Sequence, residues 1–308
     1  MKYVLRRILY MIPTLVGVTL IIFTLLHFSP GSPAVAILGE NSSPEKLEQM
    51  EEEMGLNDPF FVQYGRYLKK LVFEQDLGNS YRRKDTVANL LADAFPTTAR
   101  LATLSVLVAT VIGVPLGILA AVKRYSIFDV LTNAFGLFGL SIPVFWLAMM
   151  LIILFATMLH WLPPSGFSTP QQMVLPVVSL SLQSVAIIMR MTRSAMLEVL
   201  GQDYIRTATA KGLRTRSVIV IHALKNAFIP VLTSIGLQFG SLMGGAVLTE
   251  SIFSIAGVGR LMLDAIRMRD YPVVQGCVLV IAVCYCLINL IVDLLYGALD
   301  PRIRARYR

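Results

Sequence analysis

The sequence predicts an all-α integral membrane protein with six spanning helices, both termini on the cytoplasmic side, and a small helical subdomain outside. Three observations carry that reading. Of 308 residues, 56% are hydrophobic and 15% charged, against roughly 45–50% and about 25% in soluble domains, and the mean hydropathy is +0.68. Six apolar stretches reach the length of about 20 residues that a helix needs to cross about 30 Å of hydrocarbon. Lys and Arg collect at alternate ends of those stretches. The composition excludes a disordered chain and a nucleic-acid-binding enzyme core.

The first stretch, Ile8 to Phe28, follows Lys2, Arg6 and Arg7 and precedes Ala34-Val35-Ala36, which imitates a cleavage site. A signal peptide has an apolar region of only about 7–15 residues, so residues 1–28 read as a cytoplasmic N-terminus with an uncleaved anchor. Residues 29–98 carry eleven acidic and seven basic residues and two amphipathic stretches, Glu45 to Met54 and Pro59 to Phe73. Phe60, Phe61, Tyr64, Tyr67 and Leu68 offer an apolar face, which predicts an extracytoplasmic subdomain of short helices; the alternative is a loose loop. The remaining stretches are Leu101–Val122, Val130–Leu159, Met173–Met189, Ala227–Thr249 and Val273–Val292. They form a core over residues 99–296 that includes a loop at 190–226, and residues 297–308 are a basic tail.

Sixteen of the twenty-seven Lys and Arg lie before the first stretch, after the second, between the fourth and fifth, and after the sixth. The connection from His160 to Gln172 has none. By the positive-inside rule those four segments face the cytoplasm. The net charge of +8 is therefore sorted across a membrane and implies no nucleic acid.

The apolar stretches hold no Asp, Glu, His or Lys in their interiors, although such groups persist in carriers and pumps where they couple ions. There is no phosphate-binding G-x-x-x-x-G-K-[ST], no HExxH and no GxSxG, and His27, His160 and His222 fall in three regions. Cys277, Cys284 and Cys286 share one apolar run without a CxxC and read as small buried hydrophobes. No catalytic or metal site is predicted.

Gly113 and Gly117, and Gly236, Gly240 and Gly244, recur every four residues and share a helix face. Such faces let backbones approach closely. The spacing fits a sliding interface, a pathway wall or static packing. Pro115, Pro143, Pro176 and Pro230 mark kinks or helix starts.

Between the fourth and fifth stretches, Asp203-Tyr204-Ile205-Arg206-Thr207-Ala208-Thr209-Ala210-Lys211-Gly212 reads as a helix of about two turns. Asp203 is the expected N-cap, Gly212 the expected C′ residue, and Lys211 lies near the negative end of the dipole. A helix so short needs a docking surface; small Ala208 and Ala210 let one come close, and Tyr204 is an anchor. Charge alone favours a plain cytoplasmic anchor for two spans.

This run, with His222-Ala223-Leu224-Lys225-Asn226-Ala227 and Pro230, resembles the EAA loop of ABC-importer permeases, in the branch for dipeptides, oligopeptides, nickel or glutathione. The resemblance covers nearly the whole chain in order: Pro30-Gly31-Ser32-Pro33, Gly55 to Pro59, Asp76 to Ser80, Ser141-Ile142-Pro143, Trp161-Leu162-Pro163, Gly257-Val258-Gly259, Arg269 to Pro272 and Asp300-Pro301-Arg302. It implies a type I permease fold in a prokaryotic inner membrane. It also implies that Asp203, Tyr204, Arg206, Ala208, Ala210, Lys211 and Gly212 couple to a separate ATPase. Arg206 stands where the general pattern has Glu, so no contact of that acid carries over.

The implied partners are a second homologous permease subunit, two ATPase subunits holding ATP and magnesium, an extracytoplasmic solute-binding protein and membrane lipid, with no cofactor in this chain. The resemblance also places Glu250, Gly257, Gly259, Arg267, Asp270 and Tyr271 near an outer gate, where a connecting loop is the alternative. Peptide is the expected substrate; nickel, a metal chelate or glutathione is the alternative within the same architecture, and a stand-alone secondary carrier the alternative outside it.

Overall fold

The computed structural model describes residues 2–29, 31–39 and 42–299. Among them every regular element is a helix: α1 (Lys2–His27), α2 (Pro33–Leu38), α3 (Pro44–Glu53), α4 (Phe60–Phe73), α5 (Val87–Val122), α6 (Ile127–Ser141), α7 (Val144–Leu151), α8 (Pro170–Leu200), α9 (Asp203–Ala210), α10 (Thr215–Ser217), α11 (Lys225–Ile252), α12 (Val258–Arg267) and α13 (Tyr271–Leu299). Wider π-type turns extend α7 over Ile152–Met158 and join α10 to α11 over Val218–Leu224. The basic tail 300–308 and the motif at Asp300 lie outside the described residues.

Five helices are long and apolar enough to cross a membrane: Arg6–His27, Val87–Val122, Pro170–Leu200, Thr215–Ile252 and Tyr271–Leu295. The expected third span is not one straight helix. It is the pair Ile127–Ser141 and Val144–Met158, bent by 97°, and the span count is six only with that pair as one. The break is local chemistry. A residue before proline is pushed out of the helical region; Ile142 sits at φ −82°, ψ 122° and Pro143 caps α7. Pro115, Pro176 and Pro230 lie within α5, α8 and α11.

The chain divides into two compact units. The first contains residues 3–98 and 256–286. It explains why α5 starts well before its apolar run: Val87 and Leu91 are buried with Val258, Leu261, Ala265 and Val274 in one cluster. Thr98 Oγ1 accepts a 2.8 Å bond from the Val258 amide inside it. The two amphipathic stretches are helices, α3 and α4. Tyr64 on α4 sits with its hydroxyl 3.0 Å from Thr19 Oγ1 and 3.2 Å from the Val16 carbonyl, both on α1.

The second unit holds, among the described residues, 99–255 and 287–299, and α8 is its axis. Thr169 and Gln172 form a reciprocal capping box at its start, which satisfies two of the amides a helix leaves open. Two thirds of its most apolar stretch is buried. Gly113 and Gly117 of α5 face it so closely that a Cβ on Gly117 would lie 2.5 Å from the Met189 carbonyl oxygen, and one on Gly113 3.0 Å from that of Val185. From α6, Gly136 meets Met189 and Gly139 meets Ala186 and Leu182.

Because Gly117 abuts backbone, Gly117→Ala should destabilise the protein by about 1–3 kcal/mol through overpacking. Gly244→Ala, with nothing within 4 Å of the added carbon, should change it by less than about 0.5 kcal/mol. Thermal unfolding of the two purified variants measures the contrast.

Candidate functional site: the α8–α9–α11 loop

The loop after α8 is built from its own residues outward. Gly201 and Gln202 turn the chain, with Gln202 extended at φ −78°, ψ 150° as the N-cap. Asp203, expected as the cap, is instead the first helical residue, where its charge still faces the positive end of the dipole. Its partner is Arg206 at 3.7 Å, both strongly exposed, a pair that holds little. The helix closes with Lys211 N–H donating to the Thr207 carbonyl at 3.0 Å. Gly212 follows at φ +76°, the left-handed region that a C′ residue needs and glycine adopts without strain.

The structure divides the predicted docking set. Asp203, Tyr204, Arg206, Ala210, Lys211 and Gly212 are exposed. Ala208 is 7% exposed and Ile205 5%. Both face inward, clustered with Ala195 and Met196 of α8, Val218, and Ala227 and Val231 of α11. The small side chain of Ala208 lets α9 settle on its own chain. Ile205, not singled out from sequence, is the larger inward anchor; its i, i+3 spacing from Ala208 was the available signal. Tyr204 does double duty: its ring is 43% exposed, and its hydroxyl accepts from Asn226 Nδ2 at 2.9 Å, tying α9 to α11.

Ten residues before α9, Arg193 on α8 grips Asp129 on α6. Nε and Nη2 donate to the two carboxylate oxygens at 2.6 and 2.9 Å. Asp129 also accepts from the Tyr125 amide at 3.1 Å and Asn133 Nδ2 at 2.9 Å, so both its oxygens are satisfied although its side chain is only 6% exposed. Sequence reasoning counted these residues as cytoplasmic charges and did not pair them. Ser184 donates to Gln238 Oε1 at 3.1 Å, joining α8 to α11 as polar side chains do between apolar helices.

The predicted glycine faces separate as well. Gly236 packs against Val292, Gly240 is buried, and Gly244 is exposed. Of the outer-gate candidates, Glu250 is fully buried near the end of α11 in the second unit. The others belong to the first unit. Gly257 caps α12 and Gly259 is buried in it, Arg267 is exposed, and Tyr271 donates to the Gly31 carbonyl at 3.2 Å. Asp270, 2% exposed, accepts from the Ser80 hydroxyl and from the Tyr81 amide at 3.1 Å. It is a clamp on the 78–86 turn. Burial, then the Asp270 charge and Tyr271, push the Tyr81 phenol up to about 12.

Membrane-length helices thus carry, at the loop after α8, an amphipathic helix packed on its own chain along one side and exposed along the other. Residues 113–305 match the family described as binding-protein-dependent transport system inner membrane component, and residues 1–102 match its N-terminal region. The chain belongs to that family and is a multi-pass inner-membrane protein. It is 45% identical to the dipeptide transport system permease protein of Alkalihalophilus pseudofirmus and 44% identical to that of Escherichia coli K12, each over 99% of both chains. The di/tripeptide permease of Pseudomonas aeruginosa is 40% identical over the same share. An inward-facing structure of the MetNI methionine ABC transporter aligns with a TM-score of 0.57 at 20% identity, covering 68% of this chain and 96% of that one, a likeness of fold.

Ile205→Ala should cost about 2–5 kcal/mol, because it empties the inward anchor. Arg206→Ala, on the exposed face, should stay within about 0.5 kcal/mol. Thermal unfolding again separates them.

Proposed function

We propose that this chain is the permease subunit of an ATP-driven importer of short peptides, with α9 as the helix through which partner ATPases drive it. The observation that carries the reading is the two-sidedness of α9: Ile205 and Ala208 fix it to α8 and α11, while Tyr204, Arg206, Ala210 and Lys211 stay available to a partner. Peptide as the substrate is supported by the relatives at 40–45% identity, which carry di- or tripeptide permease names.

The mechanism follows from what is rigid. Closure of two ATPases around bound ATP displaces α9. The displacement passes to α8 and α11 through the apolar contact and the Tyr204–Asn226 bond. The Asp129–Arg193 bridge passes it to α6, and Gly113 and Gly117 carry α5 with α8. A second, homologous permease completes the pathway. A solute-binding protein delivers peptide on the outside, where Gly257, Gly259, Arg267, Asp270 and Tyr271 lie near the mouth. ATP and magnesium are held by the ATPases, and this chain contributes motion and a path rather than a catalytic group or a cofactor.

The double reversal Arg206→Glu, Lys211→Glu places like charge against a surface suited to cations, at a cost of several kcal/mol. It should lower ATP-dependent dipeptide uptake by roughly 10- to 100-fold while membrane levels and thermal stability stay as in the parent. Co-purification of two ATPase chains should fall in parallel. Undiminished uptake would contradict the role given to α9, and uptake of nickel instead of dipeptide would contradict the substrate.

A further inference from the structure

We propose that the cavity beside α4 in the first unit is a binding site for a zwitterionic phospholipid headgroup, with α4 lying in the membrane interface and the acyl chains running along its exposed face. The cavity measures about 530 Å³, within the range of roughly 300–1,000 Å³ typical of built ligand sites. Its lining carries both signs of charge: Lys70 and Arg66 on α4, the latter bridged to Asp58, Glu51 near the end of α3, and Asp76 on the following loop. Tyr67 and Tyr81 are among its aromatic walls. Phosphate and ammonium joined by two carbons match that set. Lys and Arg take the phosphate through charge-assisted hydrogen bonds, and carboxylates with aromatic faces take the ammonium. The Tyr67 hydroxyl is buried with no hydrogen-bond partner. Burial pushes its phenol up to about 12, so it remains a donor.

A free peptide zwitterion offers the same charges. The surroundings decide for lipid. At 100° per residue, Tyr64 and Tyr67 point α4 toward α1, and Phe61, Val62, Val72 and Phe73 point away, 79%, 49%, 62% and 81% exposed. Such a face on a helix in water would be costly. Here Tyr64 reaches Val16 and Thr19, inside the membrane-spanning stretch Arg6–His27. α4 is therefore braced against a part of α1 that lies in the bilayer. Apolar residues at the end of that stretch are exposed as well, Leu25 on α1 at 63% and Phe28, just beyond it, at 75%. Lys69 sits between the outward apolar pairs on the wheel and can extend its stem along them to reach headgroups, the pattern of an interfacial helix.

The test is native mass spectrometry with phospholipid extraction on the assembled transporter, purified in mild detergent and washed to remove loosely held lipid, with phosphatidylethanolamine as the added probe. The parent should retain one phosphatidylethanolamine per copy of this chain. Lys70→Glu should lower its occupancy about tenfold, as loss and reversal of a phosphate contact requires. Tyr67→Phe, which keeps the ring, should lower it less. Lys46→Glu, on the exposed face of α3 and outside the cavity lining, should leave it in place. No retained lipid in the parent, or retention unchanged in Lys70→Glu, would overturn the proposal. Displacement of the lipid by millimolar dipeptide alone would overturn it in favour of a soluble zwitterion. None of these outcomes depends on whether the importer carries peptides.

Discussion

Close backbone approach to α8 is the constraint on which the second unit depends. Lipid tails are as apolar as the helices, so burial of apolar surface gives little drive for one span to leave lipid for another. Contact has to come from fit. Gly113, Gly117, Gly136 and Gly139 supply it, presenting bare backbone to the stretch of α8 from Leu182 to Arg193. Two polar pairs add to that fit: Ser184 with Gln238 and Arg193 with Asp129. A partly buried Arg–carboxylate pair is worth keeping only when its geometry is bidentate and its remaining lone pairs are satisfied. Both conditions hold at Asp129.

That arrangement makes α8 the element from which α5, α6 and α11 hang, and α9 follows it after a two-residue turn. α9 is too short to persist in isolation. It is held by Ile205 and Ala208 on one side and by Tyr204 through Asn226. These contacts join α9 to both α8 and α11. The first unit is held differently. It is tied by buried polar points, Asp270 to the 78–86 turn and Thr98 to α12, and these hold shape.

The membrane spans were legible because length and hydropathy report on lipid directly. Their ends were less so. α5 extends back to Val87, and the fifth span begins at Thr215, running through α10 and the π-type turns into α11, since those ends are held by packing against distant residues such as Val258 and Met196. Pro143 was readable as a break but not as a 97° turn, because a proline permits either a kink within a helix or the start of a new one. In the coupling loop the helix and its terminal glycine were legible from local chemistry. The inward turn of Ala208 was not given its due weight, although Ile205 three residues earlier marked that side. The Asp129–Arg193 pair joins residues sixty-four positions apart. The cavity beside α4 gathers residues from Phe23 to Gln275. No local pattern reports either.

The central claim is that α9 and α8 move as one body. The direct measurement is the distance between spin labels at Arg214→Cys, just beyond α9 and outside its docking face, and Val178→Cys on the exposed side of α8. It requires a background with Cys277, Cys284 and Cys286 replaced by Ala, in the assembled transporter with and without ATP. The account predicts a single narrow distribution with the same centre in both states. A distribution that broadens or shifts when ATP binds would show that the loop flexes on its base, and would contradict it.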